Sequence, residues 1–277
     1  MIDRRPLAGL VLSLLLAACN LPLPQPATPT PAPGPSETLP PATLPDTPFA
    51  TGPALPALPE ETILILEPGP GSRLVGSVRV AGISDPSFEQ HLAIRILLDD
   101  GSQVGFATTT IQADVGLRGP FEVEVPFTVS GERNGFIQVY MASPRDGGIT
   151  HLSSVGVILA EAEPVELVPG GPHPEDIYIT QPEHGATLSG GLAHVEGIGV
   201  ASFEGTLVIS IQNADGTTIA ELPVIVAAPD YGLPGSFSAD VPFAVGVSQP
   251  GRIVVRDISP AFGGDSHLAS VEVTLAP

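Results

Sequence analysis

Lysine is absent from this 277-residue sequence, and its 10 basic residues, all arginine, stand against 30 acidic residues for a net charge of -20. Nucleic-acid binding needs clustered cations that displace the counterions of phosphate groups. The composition therefore excludes nucleic acid as a partner and disfavours any other polyanion.

Cysteine and tryptophan are nearly missing as well, with one Cys and no Trp. A single thiol excludes a disulfide framework, a four-thiolate zinc site and a cysteine-ligated iron–sulfur cluster. Without Trp and a second Cys, the Cys-Trp-Cys core of antibody-type domains is excluded too. Long helices are disfavoured because 33 Pro and 31 Gly interrupt the chain.

Residues 1–18 have the layout of a secretory signal peptide: Arg4 and Arg5, an apolar run and a small pair of alanines. The run is too short to span a membrane as a resident helix. The single cysteine, Cys19, follows at once, and Leu16-Ala17-Ala18-Cys19 resembles the bacterial lipobox. The resemblance implies lipidation of Cys19 and an extracytoplasmic protein anchored to the bacterial membrane. An ordinary signal peptide with a free thiol is the alternative.

Residues 19–61 read as a tether that begins at the lipidated cysteine. From Asn20 to Glu61 there are 14 prolines, interleaved with threonines and without arginine. Such a segment cannot bury enough apolar surface to offset its ordering entropy, and proline favours extended polyproline II. We expect a disordered spacer that reaches up to roughly 130 Å when fully extended.

Beyond the tether the chain repeats itself. Matching motifs recur at offsets of 114, 115 and 116 residues in order along the chain, which indicates a duplicated domain with small loop insertions. The matches are Ile65-Leu66-Glu67-Pro68 with Ile179-Thr180-Gln181-Pro182, Phe88-Glu89 with Phe203-Glu204, Asp100-Gly101 with Asp215-Gly216, Val125-Pro126-Phe127 with Val241-Pro242-Phe243, and His151-Leu152 with His267-Leu268.

Apolar residues alternate with polar ones inside each copy, as in Phe121, Val123 and Val125. This period of two predicts half-buried strands, and Asp-Gly pairs between the apolar runs predict type I′ hairpin turns. The fold class is therefore all-β, with tandem immunoglobulin-like β-sandwiches over residues 62–160 and 177–277. Residues 161–176, rich in proline and without alternation, are predicted to be a short, stiff linker.

The order of these motifs resembles the immunoglobulin-like domain of bacterial spore-germination proteins, the Gmad type. The resemblance implies the same sandwich fold and a connection with spore germination. In the first copy the elements are Pro68, Phe88-Glu89, Asp100-Gly101, Gly119-Pro120-Phe121, Val125-Pro126-Phe127 and Ser143-Pro144. In the second they are Pro182, Phe203-Glu204, Asp215-Gly216, Gly235-Ser236-Phe237, Val241-Pro242-Phe243 and Ser259-Pro260.

Catalytic and cofactor motifs do not occur: the sequence has no nucleophile elbow, P-loop, dinucleotide fingerprint or His-Glu-x-x-His motif. We predict no enzyme activity, no cofactor and no metal. His151 and His267 are a His pair in register, expected just before the last strand of each copy and satisfied by backbone groups. Glu89 and Glu204 are expected as partly buried carboxylates that accept backbone N–H groups at a loop corner.

Calcium is the alternative for an acidic extracellular chain, although no spacing fits an EF-type loop. Turn chemistry accounts for the same aspartates without a metal. The residues concerned lie in glycine-rich turns and are Asp99, Asp100, Asp146, Asp215, Asp230 and Asp265.

The function that follows is a non-catalytic envelope lipoprotein, which presents two immunoglobulin-like modules for binding or scaffolding at the cell surface. Its expected partners are the membrane, through the lipid on Cys19, and an envelope protein or a wall polymer. The alternative is a lipid-anchored solute- or glycan-binding receptor with its site in loops or between the modules. Few aromatic side chains, 3 Tyr and 10 Phe, remain for stacking on sugars.

Overall fold

The computed structural model describes residues 57–200 and 204–277. These residues form strands and a single three-residue 3₁₀ turn, Phe88–Gln90, which confirms the predicted all-β class. The first module contains β1 (Ile63–Glu67), β2 (Arg73–Val75), β3 (Ser77–Ser84), β4 (His91–Leu98), β5 (Gln103–Thr110), β6 (Gly119–Pro126), β7 (Glu132–Ala142) and β8 (Ile149–Ala160). The second contains β9 (Ile177–Gln181), β10 (Thr187–Leu188), β11 (Leu192–Gly199), β12 (Thr206–Gln212), β13 (Thr218–Ile225), β14 (Gly235–Pro242), β15 (Gln249–Ile258) and β16 (Asp265–Leu275).

Alternation along the strands places one face of each sheet in the core. In β6, Phe121 and Val125 are buried while Glu122 and Glu124 are exposed, and β14 repeats this pattern. Side chains on successive strand residues point to opposite faces, so the apolar set faces the second sheet and the acidic set faces water.

Each module is a sandwich of two antiparallel layers. In the first module, β1, β3 and β6 face β5, β4, β7 and β8, and the second module repeats this with β9, β11 and β14 facing β13, β12, β15 and β16. A separate cluster of buried aliphatic and Phe side chains fills each sandwich. None of the described residues forms a helix long and apolar enough to cross a membrane.

The predicted Asp-Gly hairpins are present between β4 and β5 and between β12 and β13. Their turn type differs from the prediction. Only the glycines, Gly101 with φ 80° and Gly216 with φ 83°, are left-handed. A type I′ turn needs positive φ at the aspartate too, so that expectation is wrong. Register shifts just before both turns indicate the bulged alternative.

The modules are joined edge to edge by an antiparallel pairing of β8 with β16. Leu152 pairs with Leu268, and His151 pairs with Ala269. A continuous sheet therefore runs through both modules in the order β5-β4-β7-β8-β16-β15-β12-β13. Leu152 and Leu268 are also repeat equivalents, so the same residue of each module meets its counterpart.

Side chains beside this pairing show that the junction has an approximate two-fold axis. Ser154 Oγ donates to Ser266 O at 2.5 Å, and Ser270 Oγ donates to Thr150 O at 2.7 Å. Ser270 is the repeat equivalent of Ser154, and Ser266 is that of Thr150. The same bond is thus made twice with the modules exchanged, which is the pattern of an isologous interface.

Residues 161–176, predicted as a linker, bond along the edge of the first module. Arg73 N donates to Glu166 O at 2.7 Å, and Glu166 N donates to Arg73 O at 2.9 Å. Further along, Gly69 N donates to Val168 O at 2.7 Å. The segment satisfies backbone groups of the first module instead of crossing solvent between the two sandwiches.

Candidate functional site

Four ionisable side chains meet at the junction of the modules: Glu61, His151, Glu175 and His267, here called the interface quartet. His151 Nε2 lies 3.2 Å from Glu61 Oε1, and His267 Nε2 lies 3.0 Å from Glu175 Oε1. The cross distances are 3.6 Å from His151 Nε2 to Glu175 Oε1 and 3.9 Å from His267 Nε2 to Glu61 Oε2. All four residues are buried, with exposures from 0% to 7%.

The strand pairing places the two histidines. His151 lies in β8 and His267 in β16, and both strands turn these side chains into the junction. Their rings meet edge to face with centroids 5.3 Å apart. The antiparallel register around Leu152 and Leu268 therefore brings two residues more than a hundred positions apart in sequence into one site.

The two glutamates arrive on the segments that lead into the first strand of each module. Glu61 N donates to His173 O at 3.2 Å, and Glu175 N donates to Pro59 O at 3.0 Å. A bridge between Glu60 and Pro174 lies between these bonds. The donors and acceptors are repeat equivalents at an offset of 114, so the junction's two-fold symmetry extends to these segments.

Backbone N–H groups hold the carboxylates in place. Thr62 N donates to Glu175 Oε2 at 2.9 Å, and Asp176 N donates to Glu61 Oε2 at 3.3 Å. Each glutamate thus accepts a bond from the residue that follows the other glutamate. These two bonds orient the carboxylates, because an ionised acceptor strengthens a hydrogen bond from a backbone N–H group.

Opposite charges in the quartet shift the pKa values of Glu175 and His267. Burial alone would raise the pKa of Glu175, but the hydrogen bond from His267 and the charges of both histidines lower it. Burial alone would lower the pKa of His267, but the bond to Glu175 and the charge of Glu61 raise it. The pKa of the neighbouring Asp176 is raised, chiefly by burial. Buried carboxylates are tolerable here because imidazole groups face them.

A surface groove of about 560 Å³ borders the quartet. His151 and Glu175 are among its lining residues, and the rest of its wall is formed by both modules. The lining includes Pro59, Thr62, Asp85, Tyr178, Pro182 and His184. The quartet can therefore do two things chemically: hold the modules together by charge, and offer nitrogen and oxygen ligands to a small cation that enters along the groove.

The sequence singled out the two histidines and missed the two glutamates. His151 and His267 were expected to be satisfied by backbone, and that expectation is wrong, because their Nε2 atoms face carboxylates. Glu61 was assigned to the tether and Glu175 to the linker. The signal that could have found them is the repeat itself, since Glu61 and Glu175 match at an offset of 114 directly before each Ile-rich strand.

Glu89 and Glu204 are not partly buried carboxylates, so that expectation is wrong. Both side chains are exposed, and both residues have left-handed backbone, with φ 53° and 50°. The preceding Phe88 is exposed as well, whereas Phe203 lies outside the described residues. What the two copies share at these corners is the left-handed backbone conformation of the glutamate.

The acidic turns mostly show the expected turn chemistry. Asp100 Oδ1 accepts from Ser102 N, Asp215 Oδ1 from Thr217 N and Asp230 Oδ1 from Tyr231 N, at 2.9, 2.9 and 2.8 Å. Asp99 pairs with Arg133, and Asp265 with Arg256. Asp146 differs, because its side chain is only 2% exposed and is bonded to Arg252 of the other module.

Cys19, the predicted lipidation site, lies outside the described residues, together with the signal peptide and most of the tether. Its lipidation stays a prediction.

Two β-sandwiches joined edge to edge define a tandem immunoglobulin-like protein. The family model for the immunoglobulin-like domain of bacterial spore germination matches residues 62–148 and 176–264. The chain belongs to this family, which confirms the resemblance found in the sequence. The comparison with curated proteins gave no match.

The solved structures that match share little sequence with this chain. CBD12 from CALX1.2 is 11% identical over 76% of this chain and 98% of that one, with a TM-score of 0.21. Red sea bream transglutaminase is 10% identical over 80% of this chain and 32% of that one, with a TM-score of 0.28. Bovine butyrophilin is 14% identical over 76% and 97%, with a TM-score of 0.22.

The interface quartet lies just outside both family matches. The matches begin directly after Glu61 and Glu175, and they end three residues before His151 and His267. The family assignment therefore accounts for the sandwiches and assigns nothing to the quartet.

Proposed function

We propose that this protein is a non-catalytic lipoprotein that holds a rigid pair of immunoglobulin-like modules away from the bacterial membrane to bind an envelope protein. The family and the all-β fold support the non-catalytic module. The lipobox-like Leu16–Cys19 and the proline-rich residues 19–61 support the anchor and the spacer. A mature surface of strong negative charge disfavours a basic-patch anchor, so acyl chains must supply the membrane affinity.

A repeated exposed turn is the observation that supports binding. Residues 114–117 and 230–233 share the pattern Asp-x-Gly-Leu, and Val115 is 85% exposed and Tyr231 71% exposed. The leucines Leu117 and Leu233 are exposed beside them. We call the pairs Val115/Leu117 and Tyr231/Leu233 the apolar turns.

The apolar turns are built alike in both modules. Leu117 N donates to Asp114 O at 3.0 Å and Leu233 N donates to Asp230 O at 3.3 Å. The central glycines have φ 85° and 72°, a backbone region in which other residues are strained. A geometry kept in both copies that presents large apolar side chains to water is typical of an interaction surface.

Charge and side-chain chemistry favour a protein as the partner. The chain carries a net charge of -20, which repels anionic wall polymers. Apolar and aromatic side chains are instead the residues that anchor protein–protein contacts. Because β8 and β16 join the modules in one sheet, the two apolar turns belong to one body and can add avidity if both engage.

Fractionation of cells tests the anchor. Cys19→Ser removes the thiol that accepts the lipid, so we expect the chain to leave the detergent phase and appear in the aqueous phase or be mis-processed. Ser13→Ala, within the signal, is the control that leaves the thiol in place. Unchanged detergent-phase partitioning of Cys19→Ser would refute the anchor.

Co-sedimentation of the full chain with protease-treated and untreated envelope material tests the binding. We expect Val115→Asp with Leu117→Asp, or Tyr231→Asp with Leu233→Asp, to weaken association by roughly 100-fold or more, because losing one turn removes the avidity. Protease treatment should remove association. Val247→Asp, exposed but outside the turns, is the matched control.

The receptor alternative predicts different results from the same samples. Its site would be the groove of about 560 Å³ between the modules, lined by Tyr178 and His184 among others. A small solute or glycan that copurifies with the chain, together with envelope association that survives both turn variants, would favour the receptor over the proposed function.

A further inference from the structure

The interface quartet has the composition of a transition-metal site. It offers two imidazole nitrogens and two carboxylates, whose ligand atoms all lie within 4.8 Å of one another. Zinc sites use these ligand types, whereas calcium needs six to eight oxygens and magnesium retains water. We infer that the interface quartet binds a single Zn²⁺ ion, which fastens the first module to the second.

Spacing within the quartet fits a tetrahedral ion. Zinc bonds of about 2.0–2.1 Å to nitrogen or oxygen place neighbouring ligand atoms roughly 3.3–3.4 Å apart. The histidine-to-glutamate distances of 3.0, 3.2, 3.6 and 3.9 Å lie on both sides of that value. One ligand atom from each of the four residues lies within 4.8 Å of the others, so side-chain movement alone would complete the tetrahedron.

Charge balance supports the same ion. A metal binds histidine only in its neutral form and displaces any proton on the coordinating nitrogen, so the two glutamates then contribute a charge of -2, which a divalent cation cancels in a place where an unbalanced charge is costly. The protein's net charge of -20 also concentrates divalent cations near its surface. The groove beside His151 and Glu175 supplies an access path.

The supporting bonds indicate a structural ion. Thr62 N and Asp176 N hold the outer carboxylate oxygens of Glu175 and Glu61, which leaves the other oxygens facing the histidines. Such outer-shell donors orient ligands in metal sites. Four buried protein ligands complete the tetrahedron, which is the form of a structural zinc site, while a catalytic one keeps a position open.

The architecture gives this ion a mechanical role. Each module supplies one histidine, and the glutamates come from the segments that precede β1 and β9. An ion held by all four ligands would resist separation of the modules, and it would lie beside the two paired positions of β8 and β16. Zinc binding to the folded chain alone would also raise its melting temperature by mass action.

Metal titration of the full chain tests this inference, with Cys19→Ala to remove the only thiol. The protein is purified in mild detergent, stripped with a chelator and dialysed against Zn²⁺. We expect one zinc per chain, a higher melting temperature with zinc, and the visible absorption of four-coordinate Co²⁺ when cobalt replaces it. A folded chain that binds no zinc overturns the inference.

Variants assign the ion to the quartet. His151→Gln with His267→Gln, and separately Glu61→Gln with Glu175→Gln, should weaken zinc binding by more than the roughly 10- to 100-fold that loss of an outer-shell partner costs. The glutamine pairs keep hydrogen-bonding capacity, and circular dichroism reports whether each variant folds. The single variant His267→Gln replaces any pair that does not fold.

Two control histidines have carboxylate neighbours. His194 lies at the surface, 2.7 Å from Asp240 and 2.8 Å from Glu196, and His173 is exposed near Glu61 and Asp176. Zinc binding should be unchanged in His194→Gln and in His173→Gln. Loss of zinc in either control, with zinc retained in the quartet variants, overturns the assignment. The zinc measurements do not involve the apolar turns. The zinc inference and the proposed function can therefore fail independently of each other.

Discussion

The two ends of the junction between the modules are related by the repeat but are held by different chemistry. At one end Phe136 of β7 contacts Phe262, with ring centroids 4.6 Å apart. At the other end Arg252 is the repeat equivalent of Phe136, and Asp146 is that of Phe262. There Arg252 Nη2 lies 3.2 Å from both carboxylate oxygens of Asp146.

Neighbouring residues match each end. Glu272 accepts from Arg252 Nε at 2.8 Å and from Arg145 Nη1 at 2.6 Å. The equivalent of Glu272 at the aromatic end is Gly156, where an added Cβ would lie 3.9 Å from the ring of Phe136. At the aromatic end, a glycine leaves room for the ring of Phe136. At the ionic end, the same repeat position is a glutamate that pairs with Arg252.

The centre of the junction has not diverged in this way. Its Glu and His residues are the same in both modules, because changing one member would leave a buried charge without its partner. A duplicated interface can therefore exchange contacts at its ends, where one pair of residues is replaced as a unit. A shared ionic centre cannot, because each member depends on the others for its charge partner.

The largest effects are expected in the cores, where the modules are alike. Phe121→Ala and Phe237→Ala should each lower the free energy of unfolding by about 3–5 kcal/mol, because each deletes a buried ring. The rings pack against Gly82 and Gly197, where an added Cβ would clash at 2.8 Å and 2.4 Å. Urea unfolding of the full chain is the measurement, with the exposed Phe88→Ala as control. A loss below about 1 kcal/mol would contradict the burial.

Next comes the ionic end of the junction. Arg252 is fully buried, so Arg252→Met leaves Asp146 and Glu272 with fewer cationic partners and should cost about 3 kcal/mol. Arg79→Met is the matched control, because Arg79 bonds two glutamates at the surface and its loss should lower stability far less. Equal losses of stability in Arg252→Met and Arg79→Met would show that burial does not strengthen the ion pairs of Arg252.

Local pattern was enough to predict the sandwiches from the sequence. The alternation of apolar and polar residues in β6 and β14 matches the alternation of buried and exposed side chains. The Asp-Gly pairs indicate hairpins because glycine tolerates the left-handed conformation in the turn. The repeat then extended the assignment of one copy to the other. These signals lie within a few residues of the structure that they predict.

The junction could not be predicted in the same way. Edge-to-edge pairing of β8 with β16 depends on which strands remain unpaired after each sandwich forms, and no local pattern records this. The glutamates of the quartet lie in segments without alternation, so their burial comes from tertiary contacts alone. Asp146 was predicted as a turn residue for the same reason, since Arg252 lies 106 positions away.

A smaller loss is expected at the aromatic end. Phe136 and Phe262 are only partly buried, so Phe136→Ala should cost about 1–2 kcal/mol through lost apolar contact and ring stacking. Double-mutant analysis with Phe262→Ala sharpens the comparison, because the pair should show coupling of about 0.5–1.5 kcal/mol. Additive losses in unfolding experiments would show that the two rings do not act together.

Acidification should have the smallest effect on the free energy of unfolding. It should weaken the ionic end of the junction and leave the aromatic end unchanged. Burial alone would raise the pKa of Asp146, but bonds from Gly148 N and from Arg145 and Arg252 outweigh it and lower the pKa from 3.8 to about 2. The unfolded chain therefore takes up this proton first. The stabilisation from Asp146 is complete above about pH 4 and is lost as the pH falls towards about 2.

Urea unfolding of the parent chain and of Asp146→Asn between about pH 7 and about pH 2.5 isolates this contribution from the other acids, which both chains share. Asp146→Asn should be less stable at neutral pH, and the gap should narrow below about pH 4 as the parent carboxylate takes up its proton. Phe136→Ala removes no titrating group, so the difference in its free energy of unfolding from that of the parent should stay constant over the same range. If the stability difference between Asp146→Asn and the parent were also constant, packing and not charge would stabilise the ionic end. The two ends of the junction would then not differ in their chemistry.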